Sequence, residues 1–188
     1  MNTHSRPSVL DFAAGPLVWI DCEMTGLNSR TDKIIEIAVL ITNGNLELVD
    51  EGIQFIVHAE KEQLDKMDEW CTQQHGSSGL TEACLASPYS TEYVSKEILA
   101  YIKKRIPDRG VGVIAGNSVH ADRAFLVEEM PEVVDWLHYR IVDVSSIKPQ
   151  DRSGISKHRA LDDIRGSIKE LEWYRKNIFI QPPTPHAL

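Results

Sequence analysis

At 188 residues, with 42% hydrophobic and 26% charged side chains, the chain can bury one sizeable core and has an ordinary globular composition. A formal net charge of −8 argues against a protein that grips long nucleic acid through many phosphate contacts, because that needs a basic surface, but short substrates stay open. No apolar run approaches the roughly 18 residues of a membrane span, residues 1–15 lack a secretory pattern, and Cys22, Cys71 and Cys84 form no C-x-x-C pair, so a soluble intracellular domain with reduced, structural cysteines and no disulfide or zinc site is expected.

The first strand is expected at 16–24 and the second, rich in Ile and Val, at 33–42. Asn43-Gly44-Asn45 then signals a hairpin into a third strand within 46–57, so the chain opens with an antiparallel meander. A polar helix follows over 60–74, ended by Gly76 and a Ser-Ser-Gly loop. Residues 91–105 put Val94, Ile98, Tyr101 and Ile102 on one helical face before Pro107 stops the helix. A short buried strand at 111–115 turns through Gly116-Asn117-Ser118 into a helix carrying Phe125 and Leu126, and 139–144 reads as another strand. The last helix begins near residue 158 and runs to about 176, with Leu161, Ile164, Ile168 and Leu171 on one face. Three strands followed by alternating helix and strand predict an α/β fold with a mixed sheet flanked by helices. The expected organisation is a loose segment over 1–15, a single domain over 16–180 and a loose Pro-rich tail over 181–188.

Asp21 and Glu23 stand two residues apart at the end of the first strand, so both side chains share a face and Cys22 points the other way, into the core. Two like charges so close raise each other's pKa unless a cation sits between them, which makes the pair a candidate metal ligand set. On its own the spacing also describes two solvated acids on an open face. Asp122 adds a third acid just after a buried strand, in the first turn of a helix, where ligands of open α/β sheets gather. His158 precedes Asp162 and Asp163 at the start of the last helix, and an imidazole can take a proton from water at neutral pH. Helical periodicity leaves open which of Asp162 and Asp163 faces the other acids.

Asp21-x-Glu23, Asp122, and His158 followed five residues later by Asp163 resemble the three motifs of the DEDDh exonucleases. The longer strings WIDCEMTGL (19–27), MDEWCTQQHGSSGL (67–80), GNSVHADRAFL (116–126), HYRIVDVSS (138–146) and HRALDDIRGSIKELEWYR (158–175) look like the oligoribonuclease branch of that family, a similarity spanning about 16–180. The resemblance implies a ribonuclease H-like fold and 3′-to-5′ hydrolysis of short RNA, especially 5′-phosphorylated dinucleotides, to 5′-mononucleotides. It also implies two Mg²⁺ or Mn²⁺ ions held by Asp21, Glu23, Asp122 and Asp163, and His158 as general base; it is the resemblance that selects Asp163 over Asp162. Leu27 resembles the family's wedge against the bases, and Trp70 and His75 its base-contacting aromatics. Ser118, Arg140, Ser145 and Ser146 match its cap on the substrate's 5′ phosphate. Tyr139 stands where a tyrosine reaches the neighbouring subunit of a homodimer. One departure stands out: the stretch 147–157 is shorter than the family leads one to expect and lacks a basic, Trp-containing helical segment. The competing readings are an exonuclease of the same superfamily that trims longer RNA or DNA, and a dinucleotide-binding module without catalysis. The cytoplasm is the expected compartment, with the mitochondrion second.

Overall fold

The computed structural model describes residues 9–147 and 159–179. Five strands form one mixed sheet in the order β3-β2-β1-β4-β5. β1 (Leu17–Met24), β2 (Ile34–Thr42) and β3 (Ile53–Ile56) make the expected antiparallel meander, while β4 (Val113–Gly116) and β5 (Ile141–Asp143) run parallel to β1. Every residue of β2 is buried, as a near-continuous apolar run requires when both faces of a strand are covered.

Alternation along β1 separates two cores. Val18, Ile20 and Cys22 point into a cluster with Val94, Ile98 and Ile102 of α4 (Thr91–Arg105), Phe125 and Leu126 of α5 (Val119–Glu129), and Val133 of α6 (Pro131–Trp136). Trp19 points the other way, where Ile164, Ile168, Leu171 and Tyr174 of α7 (Ala160–Asn177) cover it. Asp21 and Glu23 continue the Trp19 face, so they lie on the α7 side, and Cys22 is core as expected.

The third strand is shorter than the reading of 46–57 allowed. Leu48 makes one isolated bridge to Thr42, and the chain then leaves the ladder because Asp50 is captured by α4, accepting from Tyr101 Oη at 2.7 Å and Arg105 Nε at 2.6 Å. The single helix expected over 60–74 is two, α1 (Lys61–Leu64) and α2 (Glu69–Ser77), because Asp68 accepts from the Cys71 amide at 2.7 Å and starts a new N-terminus. Helix α2 runs through Gly76, and α3 (Leu80–Ala86) and α6 were not expected. Of the segment expected to be loose, Leu10 is buried and its amide bonds Arg105 O at 2.7 Å. Residues 1–8, most of 147–157 with its departure from the family, His158, and the tail 181–188 lie outside the described residues. Among those described, no helix is long and apolar enough to cross a membrane.

Candidate active site

Three carboxylates converge at the C-terminal end of β1. Ligand oxygens of Asp21, Glu23 and Asp163 all lie within 4.8 Å of one another. Asp162 is exposed, so the choice that helical periodicity left open falls to Asp163. Asp122 stands beside this trio rather than in it. β4 pairs with β1 only as far as Trp19, and beyond that rung the Cys22 amide is met by Asp122 Oδ1 at 2.9 Å. The buried Asp122 therefore closes the gap between the two strands. Gly116 permits the close turn into α5, since a Cβ there would meet Ile20 O at 2.9 Å.

Burial and neighbouring charge both disfavour the ionised forms of these acids. Burial, then repulsion from Asp122, Glu23 and Asp163, pushes the Asp21 carboxyl up to about 9. Burial, then Glu36 and Asp163, raises Glu23 to about 7. Burial raises Asp122 to about 6 even though the Cys22 hydrogen bond pulls it down. Half-buried carboxylates that repel one another and have oxygens within ligand distance suit a hard divalent cation, which would relieve the repulsion directly. The residues present therefore fit a divalent-cation site.

Three residues absent from the expectations, Glu36, Arg159 and Gln54, complete the surroundings. Glu36 faces Glu23 across the β1–β2 pair and is fully buried. It accepts from Arg159 Nη2 at 2.8 Å, Arg159 Nε at 3.2 Å and Gln54 Nε2 at 2.5 Å. A glutamate inside the run Ile34-Ile35-Glu36-Ile37 was the available signal.

Next to Glu23 opens a pocket of 480 Å³ lined by Met24, Gly26, Leu27, Trp70, Cys71 and His75. Leu27 is 89% exposed and Trp70 is 58% exposed at its mouth. The loop holding Leu27 is closed by Asp32, which accepts from Thr25 Oγ at 3.2 Å and Asn28 N at 2.9 Å. Gly26 allows that closure, because a Cβ would lie 2.5 Å from Asp32 Oδ2. His75 is buried beneath, with Nε2 donating to Met24 O at 2.9 Å and Nδ1 4.0 Å from Glu23. It thus sits as wall and support rather than as an exposed ring.

The residues expected to cap a 5′ phosphate are brought together only in part. Ser118, in the left-handed region at φ 52°, has its Oγ 3.3 Å from Ser145 Oγ. Asp143 organises both: it accepts from Ser118 N at 2.9 Å, Ser145 Oγ at 2.6 Å and His120 Nδ1 at 2.8 Å. Ser146 is exposed at the end of the turn Val144–Ser146. The Arg140 guanidinium lies 5.6 Å from the ring of Tyr139, which is 74% exposed and stacked on His138.

Comparison with known proteins bears on the family and the fold. The family model described as Exonuclease, of the RNase T type, matches residues 18–171. The chain is 46% identical to the mitochondrial oligoribonuclease of Saccharomyces cerevisiae, over 89% of this chain and 69% of that protein. It is 43% identical to the oligoribonuclease of Rhodococcus jostii over 90% of each, and 45% identical to the mitochondrial oligoribonuclease of Mus musculus over 87% and 73%. Among solved structures, Escherichia coli Exonuclease I in complex with a dA16 oligonucleotide superposes with a TM-score of 0.66 at 15% identity, over 86% of this chain and 41% of that one. This chain spans about two fifths of that solved chain, and the likeness is one of fold, the ribonuclease H-like α/β sheet. On its sequence over nearly the whole domain and on its fold, the chain belongs to the oligoribonucleases of the exonuclease family, which are 3′-to-5′ exoribonucleases.

Proposed function

We propose that this exoribonuclease acts on very short RNA, above all 5′-phosphorylated dinucleotides, releasing 5′-mononucleotides with two Mg²⁺ or Mn²⁺ ions at Asp21, Glu23, Asp122 and Asp163. The observation that carries the reading is the convergence of Asp21, Glu23 and Asp163 immediately beside the pocket of Leu27, Trp70 and His75. Bound there, divalent cations polarise the scissile phosphate and acidify water. His158, next to Arg159, takes the water proton as general base; water adds to phosphorus and the bond to the preceding 3′ oxygen breaks. Leu27 and Trp70 hold the bases, since stacking on such groups accepts any base.

Ser118, Ser145, Ser146 and Arg140 receive the 5′ phosphate, a guanidinium being suited to bidentate contact with it. Tyr139, exposed at its edge, reaches the site of a second copy in a homodimer; a monomer alone in sedimentation at micromolar concentration would remove that part. The yeast and mouse relatives are named mitochondrial, which keeps the mitochondrion beside the cytoplasm as a compartment for this chain.

The test is turnover of 5′-phosphorylated RNA of two to seven nucleotides with Mg²⁺, Mn²⁺ or EDTA. Metal-dependent release of mononucleotides peaking at the dinucleotide is expected. Asp163→Ala abolishes it, and His158→Ala lowers it by about 10²- to 10⁴-fold while Mn²⁺ binding persists. Preference for long single strands would instead mark a general trimming exonuclease, and dinucleotide binding without cleavage a binding module.

A further inference from the structure

The first turn of α7 carries Asp163 but has little apolar surface to hold it. The helix packs on Trp19 and Leu40 mainly through Ile164, Ile168 and Leu171, and the first turn adds only the small Ala160 and the half-buried Leu161. Arg159, at the N-cap, makes no side-chain cap to the helix; the amides of Asp162 and Asp163 bond Arg159 O, at 3.0 and 3.1 Å. The side chain of Arg159 ties this end to the sheet: it reaches across 123 residues of sequence to the fully buried Glu36, itself also held by Gln54 of β3.

Buried ion pairs are a poor device for stability, because well-packed apolar residues of the same volume hold a fold as well or better. The location suggests another use. Glu36 lies on the metal face of the sheet, directly across from Glu23, and without a cation of its own it would be a further acid crowding the cluster. Arg159 also feels the charges of Glu23 and Asp162, so its charge is placed among three acids rather than against one.

We propose that Glu36 and Arg159 are a positioning pair that holds the start of α7 so that Asp163 meets Asp21 and Glu23, and that keeps the Glu36 carboxylate out of that cluster. The inference rests on the reading of the cluster as a divalent-metal site. Isothermal titration of the full chain with Mn²⁺, compared across wild type, Arg159→Met, Arg159→Lys and Glu36→Gln, tests it. Arg159→Met weakens Mn²⁺ binding by about 10- to 100-fold. Arg159→Lys restores most of the affinity, and the dinucleotide KM at saturating Mn²⁺ stays at the wild-type value. Folding is checked by thermal unfolding in EDTA. Wild-type Mn²⁺ affinity in a folded Arg159→Met protein overturns the proposal, as does a Lys variant no better than Met. Should Arg159→Met fail to fold, Glu36→Gln decides: weaker Mn²⁺ binding supports the pair and unchanged binding overturns it. A wild-type chain that binds no Mn²⁺ is a different result, since it removes the metal site before the pair is in question.

Discussion

Leu27 shows how a single side chain acquires its position from its neighbours. A leucine that is 89% exposed costs solubility and contributes nothing to the core, yet Gly26 and Asp32 hold its loop in one shape. If it stacks on a base, Leu27→Ala loses on the order of 1 kcal/mol or more of substrate affinity. The KM for dinucleotide should then rise by about tenfold with little change in metal dependence; an unchanged KM would return Leu27 to ordinary surface. Arg140 is judged by a different contrast. Its guanidinium lies 5.6 Å from the Tyr139 ring. Arg140→Ala is expected to weaken a 5′-phosphorylated dinucleotide far more than its 5′-hydroxyl counterpart, and equal losses in a paired binding assay would sink the cap.

At the scale of elements, the loop between β1 and β2 is the piece most exposed to perturbation. Its shape depends on the Asp32 carboxylate, which bonds Thr25 and Asn28 in a turn with no apolar core of its own. Asp32→Ala should therefore raise the dinucleotide KM as Leu27→Ala does while shifting Tm by only a few degrees; a wild-type KM would show that the loop needs no such clasp. The elements that periodicity predicted well, β1, β2, α4 and α7, are those with a long apolar face against the sheet. Those misread, β3 and the split α1–α2 pair, are governed by single polar side chains, Asp50 and Asp68, whose partners are distant or local contacts that an apolar pattern does not register. The site divides in the same way. Asp21 and Glu23 were read from strand spacing and Asp122 from its place between a buried strand and a helix, while the choice of Asp163 and the pocket residues came from the family resemblance. Glu36, Asp32 and Asp143 were not legible, because each works through a hydrogen bond to a residue that spacing does not connect to it.

For the whole molecule, the cost of gathering these acids should be visible in its stability. Asp21, Glu23 and Asp122 all hold protons more tightly when folded, with carboxyls raised to about 9, 7 and 6. A raised folded pKa contributes stability that is complete below the ordinary carboxylate range and is lost as pH climbs through the folded values. In EDTA, Tm should thus fall between about pH 5 and pH 9. Added Mn²⁺ should reverse the fall and bind more tightly as pH rises, because each proton must leave before a ligand forms. A flat or rising Tm in EDTA over that window would mean that the acids are not strained. The alternation of β1 between two cores has a further consequence for descent. Deleting or inserting one residue between Trp19 and Glu23 would rotate the strand's end by half a turn, presenting the Cys22 thiol to the substrate and driving two acids into oil. The count of residues along that strand is therefore a stricter inheritance than the identity of the apolar ones, which only need to be greasy and the right size.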